Sequence, residues 1–317
     1  MNTKHRIKTI LPLAAVAAAL SLAPTAQAQW TESVFVNPGT ANTNMGTWDI
    51  DVSNGIGIAA PNAGAPDDPI LFNTSDGTLL RRLNPTTALS ANVMGAAIDG
   101  NRAVVGKQNS HFALFDVATG NEIGSVTNAL NGFGSSAAIS GNLVAIGGWG
   151  GNVEVFDVST PSAIVSLGTV PSSGNFAFAL SGNTLVSAYF GTVNVYTVGA
   201  TSIGTGTQLT PPGTAGNFGT SVDIDGDMVI VGADGDYAGT TKAGSAYLFD
   251  LSVSYTVAQA TITPSGPEVE QRRFGYDVVL ADAQPPTVFG QGGTLFASGR
   301  LDNLSSVHAG LGALAVF

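Results

Sequence analysis

The chain has 317 residues, with 11 Lys and Arg against 22 Asp and Glu, a formal charge of −11, and no cysteine. The missing cysteine excludes disulfides, thiolate metal sites and thiol nucleophiles, and the acidic balance argues against nucleic acid as a partner. Only 10% of residues are charged and 41 are glycine, a composition that suits apolar strands joined by many tight turns.

Lys4, Arg6 and Lys8 precede the apolar run "ILPLAAVAAALSLA", and "AQA" ends at Ala28, just before Gln29. That order of basic, apolar and small residues predicts a secretory signal peptide over 1–28. The alternative is an uncleaved membrane anchor, but the run falls short of the roughly 20 apolar residues a spanning helix needs. The remainder, 29–317, reads as a single β domain with no transmembrane span. Without Lys4, Arg6 and Lys8 it keeps 8 basic residues against 22 acidic ones. Periplasm, cell surface and medium are all open as its location.

One unit then recurs. It opens at Met45, Met94, Phe133, Phe176, Phe218 and Phe274, as in "MGAAIDGNRAVVGK" and "FGTSVDIDGDMVIVGA". In the first five copies two short apolar strands flank a turn: Ser53-Asn54-Gly55, Asp99-Gly100-Asn101, Ser140-Gly141-Asn142, Ser181-Gly182-Asn183 and Asp225-Gly226-Asp227. Asn, Asp and Gly tolerate the positive φ that a two-residue hairpin requires. A third strand carries an aromatic near its end, at Phe72, Phe115, Phe156, Tyr196, Phe249 and Phe317. A fourth follows in most copies, as in "TLLRRL" and "NEIGSV".

The sixth copy reaches only its third strand. The segment "WTESVFV" at 30–36 is rich in β-branched and aromatic residues, belongs to no other unit, and is the expected donor of the fourth. The reading is an all-β, six-bladed β-propeller of four-stranded blades, closed by the N-terminal strand, with seven blades as the alternative count.

The quoted motifs resemble the FG-GAP repeat, the unit of the integrin α-subunit head and of many exported bacterial proteins. Copy five, with Phe218-Gly219, Val231-Gly232-Ala233 and "GSAYLF", carries the resemblance best. The segments "FDVATGNEIGSV" and "FNTSDGTLLRRL" also look like strands three and four of WD40-like or quinoprotein-type propellers. The resemblance implies a propeller used for binding more than for catalysis, and calcium loops in integrin-type copies. Calcium takes six to eight oxygens from a loop that wraps it. Asp225-Gly226-Asp227 runs straight into a strand and is expected only to turn the chain. Asp234 and Asp236 open a longer loop and are the better metal candidates, with at most modest calcium stabilisation expected.

Loop lengths point to a surface. The connections between strands two and three are short in copies two, three and four, and long in copies one, five and six. Ring closure makes the last three neighbours, which gathers Asp67, Asp68, Asp234, Asp236, Tyr237, Lys242, Arg300, Asp302 and His308 in one sector. Glu268, Glu270, Arg272 and Arg273 join the same side, and Trp149 and Tyr189 are candidates to stack on a sugar or peptide. The expected partner is an extracellular or envelope protein or glycan; tolerated drift of loop length is the competing explanation. For catalysis, His111 and His308 have no triad or ligand spacing and read as lone surface histidines. No phosphate loop opens a helix. A non-catalytic adhesion, recognition or scaffold module is therefore expected, with a loop-carboxylate hydrolase or lyase on a glycan-type substrate as the alternative.

Overall fold

A computed structural model describes residues 49–60, 69–83, 86, 93–107, 111–128, 132–148, 151–172, 177–189, 191–213, 215–238, 241–263 and 274–280. All belong to the compact unit Val34–Phe317. The first sheet is β1 (Asp49–Ser53), β2 (Ile56–Ala60), β3 (Ile70–Asn73) and β4 (Leu79–Arg82). The second is β5 (Val93–Asp99), β6 (Arg102–Lys107), β7 (His111–Asp116) and β8 (Glu122–Thr127). The third is β9 (Ser136–Ser140), β10 (Leu143–Gly147), β11 (Asn152–Asp157) and β12 (Val165–Pro171), and the fourth is β13 (Phe178–Ser181), β14 (Thr184–Tyr189), β15 (Thr192–Thr197) and β16 (Thr207–Leu209).

The fifth contains β17 (Phe218–Asp225) and β18 (Met228–Ala233), then a small hairpin of β19 (Tyr237–Ala238) and β20 (Thr241–Lys242), then β21 (Ser245–Asp250) and β22 (Ala260–Ile262). The five four-stranded sheets are antiparallel meanders, each pairing its strands in chain order. Their first strands lie side by side, β1 on β5, β5 on β9, β9 on β13 and β13 on β17. Sheets that share an inner edge in this way are the blades of a β-propeller.

The expected turns form as read. Asn54 and Gly55 both have positive φ (51° and 80°), whereas in the next hairpin the positive φ falls on the first central residue alone, Gly100 at 55°. An Asn-Gly pair therefore closes the first hairpin as a type I′ turn, and a leading glycine closes the second in the type II′ manner. Gly141, Gly182 and Gly226 repeat the second case at 58°, 54° and 57°.

The core lies between blades. Ile58 and Leu71 of the first sheet meet Ala96, Val105 and Phe115 of the second. Phe112 of the second meets Phe133 and Phe156, with ring centroids 6.2 and 5.0 Å away. The aromatics expected in third strands, Phe72, Phe115, Phe156, Tyr196 and Phe249, all lie there and all are buried. Each such side chain contributes about 1.5–3 kcal/mol by leaving water. Phe317 lies outside the described residues.

Candidate functional site

The long connection of copy five is a built structure. Tyr237 pairs with Lys242 and Ala238 with Thr241, so the insertion is a β-hairpin and not only a solvated loop. Its base is fixed by the two aspartates that precede it. Asp234 is buried, and its Oδ1 accepts from Asn217 Nδ2 and Thr220 Oγ1, each at 3.0 Å. Asp236 is buried too; its Oδ1 accepts from the Gly216 N–H at 3.1 Å, and its Oδ2 from the Tyr247 hydroxyl. Gly235 donates its N–H to the Gly216 carbonyl at 3.1 Å. A side chain at Gly235 would meet Asn217 at 2.8 Å, so only glycine lets the two segments come this close.

These carboxylates act as a clamp. They tie the hairpin base to the segment entering β17 and to Tyr247 on β21. Burial, and then Asp236 itself, push the Tyr247 phenol up to about 12. Calcium would need six to eight oxygens. Among the described residues no group of three or more acidic or histidine side chains is placed to hold an ion.

A second constellation runs along the inner edge. The residue opening each tight hairpin reaches the next blade: Gly100 N–H donates to Ser53 Oγ (3.0 Å), Gly141 to Asp99 Oδ2 (2.6 Å), Gly182 to Ser140 Oγ (2.9 Å) and Gly226 to Ser181 Oγ (3.1 Å). Deeper on the same strands, Asp49 and Asp51 accept from Ala96 and Ile98, and Asp223 accepts from Leu280. Desolvation pushes the Asp51 and Asp223 carboxyls up to about 6, against backbone hydrogen bonds that favour the charged form. Both residues keep some solvent-exposed surface, so the penalty is smaller than complete burial would impose.

Of the residues expected in the binding sector, Asp234 and Asp236 form the hairpin base, and Tyr237 and Lys242 lie opposite each other on its strands. Asp67, Asp68, Arg300, Asp302 and His308 lie outside the described residues, as do Glu268, Glu270, Arg272, Arg273 and Trp149. Tyr189 ends β14 and is 38% exposed. His111 corrects the expectation of a surface histidine. It pairs with Lys107 and Thr127 at the start of β7 and is only 3% exposed. Burial, and then the nearby Lys107 charge, lower its pKa, which favours the neutral ring.

Sequence reasoning found the turns but not the clasps. The signal was available: Ser or Asp precedes the turn in all five copies, and the partner glycine recurs one repeat later. It also passed over the polar residue after the third-strand aromatic. Asn73, Asp116, Asp157 and Asp250 cap their own turns, as when Asp116 Oδ1 accepts from both Thr119 N–H and Oγ1 at 2.7 Å.

Residues 208–249 match the family model of the FG-GAP repeat. This segment is an FG-GAP repeat. The physical content of the repeat's first pair is visible in three copies: Gly134, Gly219 and Gly275, each after a buried Phe, have φ of 86°, 87° and 80°. That backbone turn brings each FG glycine against the preceding blade. A Cβ would lie 2.5 Å from the Lys107 carbonyl at Gly134 and 2.8 Å from Ala188 Cβ at Gly219.

Among solved structures, the chain is similar to the computationally designed Ika8 protein, with 20% identity and a TM-score of 0.48 over 77% of this chain and 68% of that one. It is similar to U3-55K with 18% identity and a TM-score of 0.49, over 70% of this chain and 68% of that one. The WD40 repeats of RRP9 give 20% identity and a TM-score of 0.48, over 68% of this chain and 63% of theirs. No curated protein sequence matches.

Proposed function

We propose that the chain is an exported, non-catalytic binding propeller of six four-stranded blades, closed by residues 30–36. Its long loops in copies five, six and one would face an extracellular or envelope protein or glycan. Two observations support a closed ring. Strands β2 and β3 of the first sheet are buried on both faces: one packs on the second sheet, while Ala59, Ile70 and Phe72 are buried on the other. An open stack would leave that end face wet. An electrostatic influence of Asp51 on β1 is also among the causes that raise Asp223 on β17, which supports a first and a fifth blade that approach along one inner edge.

The observation that carries the binding reading is the clamped hairpin β19–β20. A loop that had merely drifted in length would not need two buried carboxylates and a buried tyrosine to fix its base. Loops presented on a rigid scaffold are where propellers place recognition. Tyr237 and Lys242 are the proposed contacts here, joined by Asp67, Asp68, Arg300, Asp302 and His308, with Asp234 and Asp236 as anchors.

The test compares wild type with a variant in which 237–242 is replaced by a short glycine turn, on arrays of glycans and envelope proteins. The reading predicts a specific ligand for the wild type and its loss in the variant. Unchanged binding by the variant contradicts the sector, and turnover on glycan or ester panels contradicts the non-catalytic reading.

A further inference from the structure

The second strand of a blade seats the opening of the next copy. A side chain at Gly106 would meet the carbonyl of Gly134, and one at Gly232 would meet that of Gly275. In copy two the chain passes from Lys107 to His111 directly, but copy five inserts the hairpin β19–β20 at this very contact, between Ala233 and Ser245. The insertion therefore starts and ends beside the opening of copy six.

Its two ends are held by different copies. On the entering side, Asn217 Nδ2 donates to Asp234 Oδ1 and the Gly216 N–H to Asp236 Oδ1, at 3.0 and 3.1 Å. Asn217 has φ of 58°, a left-handed backbone that suits asparagine and glycine. On the leaving side, Phe274 donates its N–H to the Ala243 carbonyl at 3.1 Å, and Gly244 forms a parallel bridge with Phe274. Gly244 and Gly275 have φ of 84° and 80°, and a Cβ would strike the Phe274 carbonyl from the first and the Ser245 carbonyl from the second. The two grips meet at Asp236, whose own carbonyl accepts from the Gly244 N–H at 3.0 Å.

We propose that the hairpin is a bracket between the openings of copies five and six. Asn217 is its positioning residue on one side, Phe274-Gly275 is its seat on the other, and it takes its docked form only while copy six is seated. Presentation of the hairpin and seating of the next repeat are then one linked equilibrium. The functional weight of this linkage rests on the binding reading of the hairpin. By reciprocity, loosening either end must loosen the other, and a ligand that binds only the docked hairpin tightens the joint between the two copies.

Amide hydrogen exchange of the full-length protein, with no ligand added, tests the linkage. One reporter is the Gly235 N–H, bonded to the Gly216 carbonyl; the other is the Phe274 N–H, bonded to the Ala243 carbonyl. Gly275→Ala pushes on Ser245 from the copy-six side, and Gly235 should then exchange roughly fivefold faster or more, the scale of one lost hydrogen bond. Asn217→Gly keeps the left-handed backbone and removes only the carboxamide, and Phe274 should speed up by a similar factor. The Val158 N–H, bonded to the Asn142 carbonyl in the third sheet, should exchange as in wild type in both variants. Unchanged Gly235 in Gly275→Ala, unchanged Phe274 in Asn217→Gly, or an equal rise at Val158 overturns the proposal. If Gly275→Ala does not fold, Asn217→Gly decides alone. A negative result here leaves the binding reading standing, and a failed binding array leaves the linkage standing.

Discussion

The carbonyl of Gly275, at the opening of copy six, occupies the space that a side chain on Gly232 would need. Gly232 lies in β18, within the GAP half of copy five, so this contact seats one repeat on the next. Backbone cannot give way as a flexible side chain can. Gly232→Ala is therefore expected to cost about 1–3 kcal/mol. Chemical denaturation checks this: a lower midpoint at constant slope is predicted, and an unchanged midpoint would show that the contact is not tight.

The hairpin clasps should matter individually little and jointly more. Ser140 and Ser181 accept their glycine N–H groups at exposed positions, where water can replace a lost acceptor. Ser140→Ala and Ser181→Ala are each expected to cost about 0.5 kcal/mol, near the low end for a hydrogen bond. The two sit on different hairpins, so the double variant should show close to the sum.

Tyr247 is the more sensitive position. Tyr247→Phe leaves the buried Asp236 Oδ2 without the hydroxyl donor, a loss of about 1–3 kcal/mol. Its pH dependence has a definite sign. The folded pKa, about 12, lies above the ordinary 10.0, so the contribution is complete below pH 10 and disappears as pH rises through 12. Ultraviolet titration of wild type against Tyr247→Phe should show this phenol ionising last; ionisation near pH 10 would mean the clamp is open.

The architecture was legible because it is periodic. Copies that repeat an FG opening, a two-residue turn and a third-strand aromatic report the same blade several times, and Phe115, Phe156 and Phe249 could be aligned from sequence alone. Partner choice was not legible to the same degree. Asp234 and Asp236 were recognised as oxygen-rich, but only three dimensions show that their oxygens turn inward to Asn217, Thr220, Gly216 and Tyr247. His111 was misplaced for a related reason. One polar residue at the start of an apolar strand does not reveal which sheet face it takes.

Calcium should stabilise the protein modestly at most. Asp234 Oδ1 and both oxygens of Asp236 already hold protein donors, and a cation would have to displace them. Unfolding temperatures in chelator and in millimolar calcium are expected to agree within about 2 °C, the effect of less than about 1 kcal/mol. A larger rise would mean that the clamp opens to form a cage.

Ring closure is the claim on which the blade count and the clustering of long loops depend, and paired cysteines test it directly. The chain has no cysteine of its own, so any crosslink is unambiguous. Cysteine at Val34 or Phe35 is combined with cysteine at Leu314, Ala315 or Val316, and the oxidised products are resolved on non-reducing gels. Adjacent strands hold facing Cα atoms at about 4.5–5.5 Å, within disulfide reach, so the account predicts rapid crosslinking for the facing pairs. Absence of a crosslink in every pair, from protein that is folded, would contradict it.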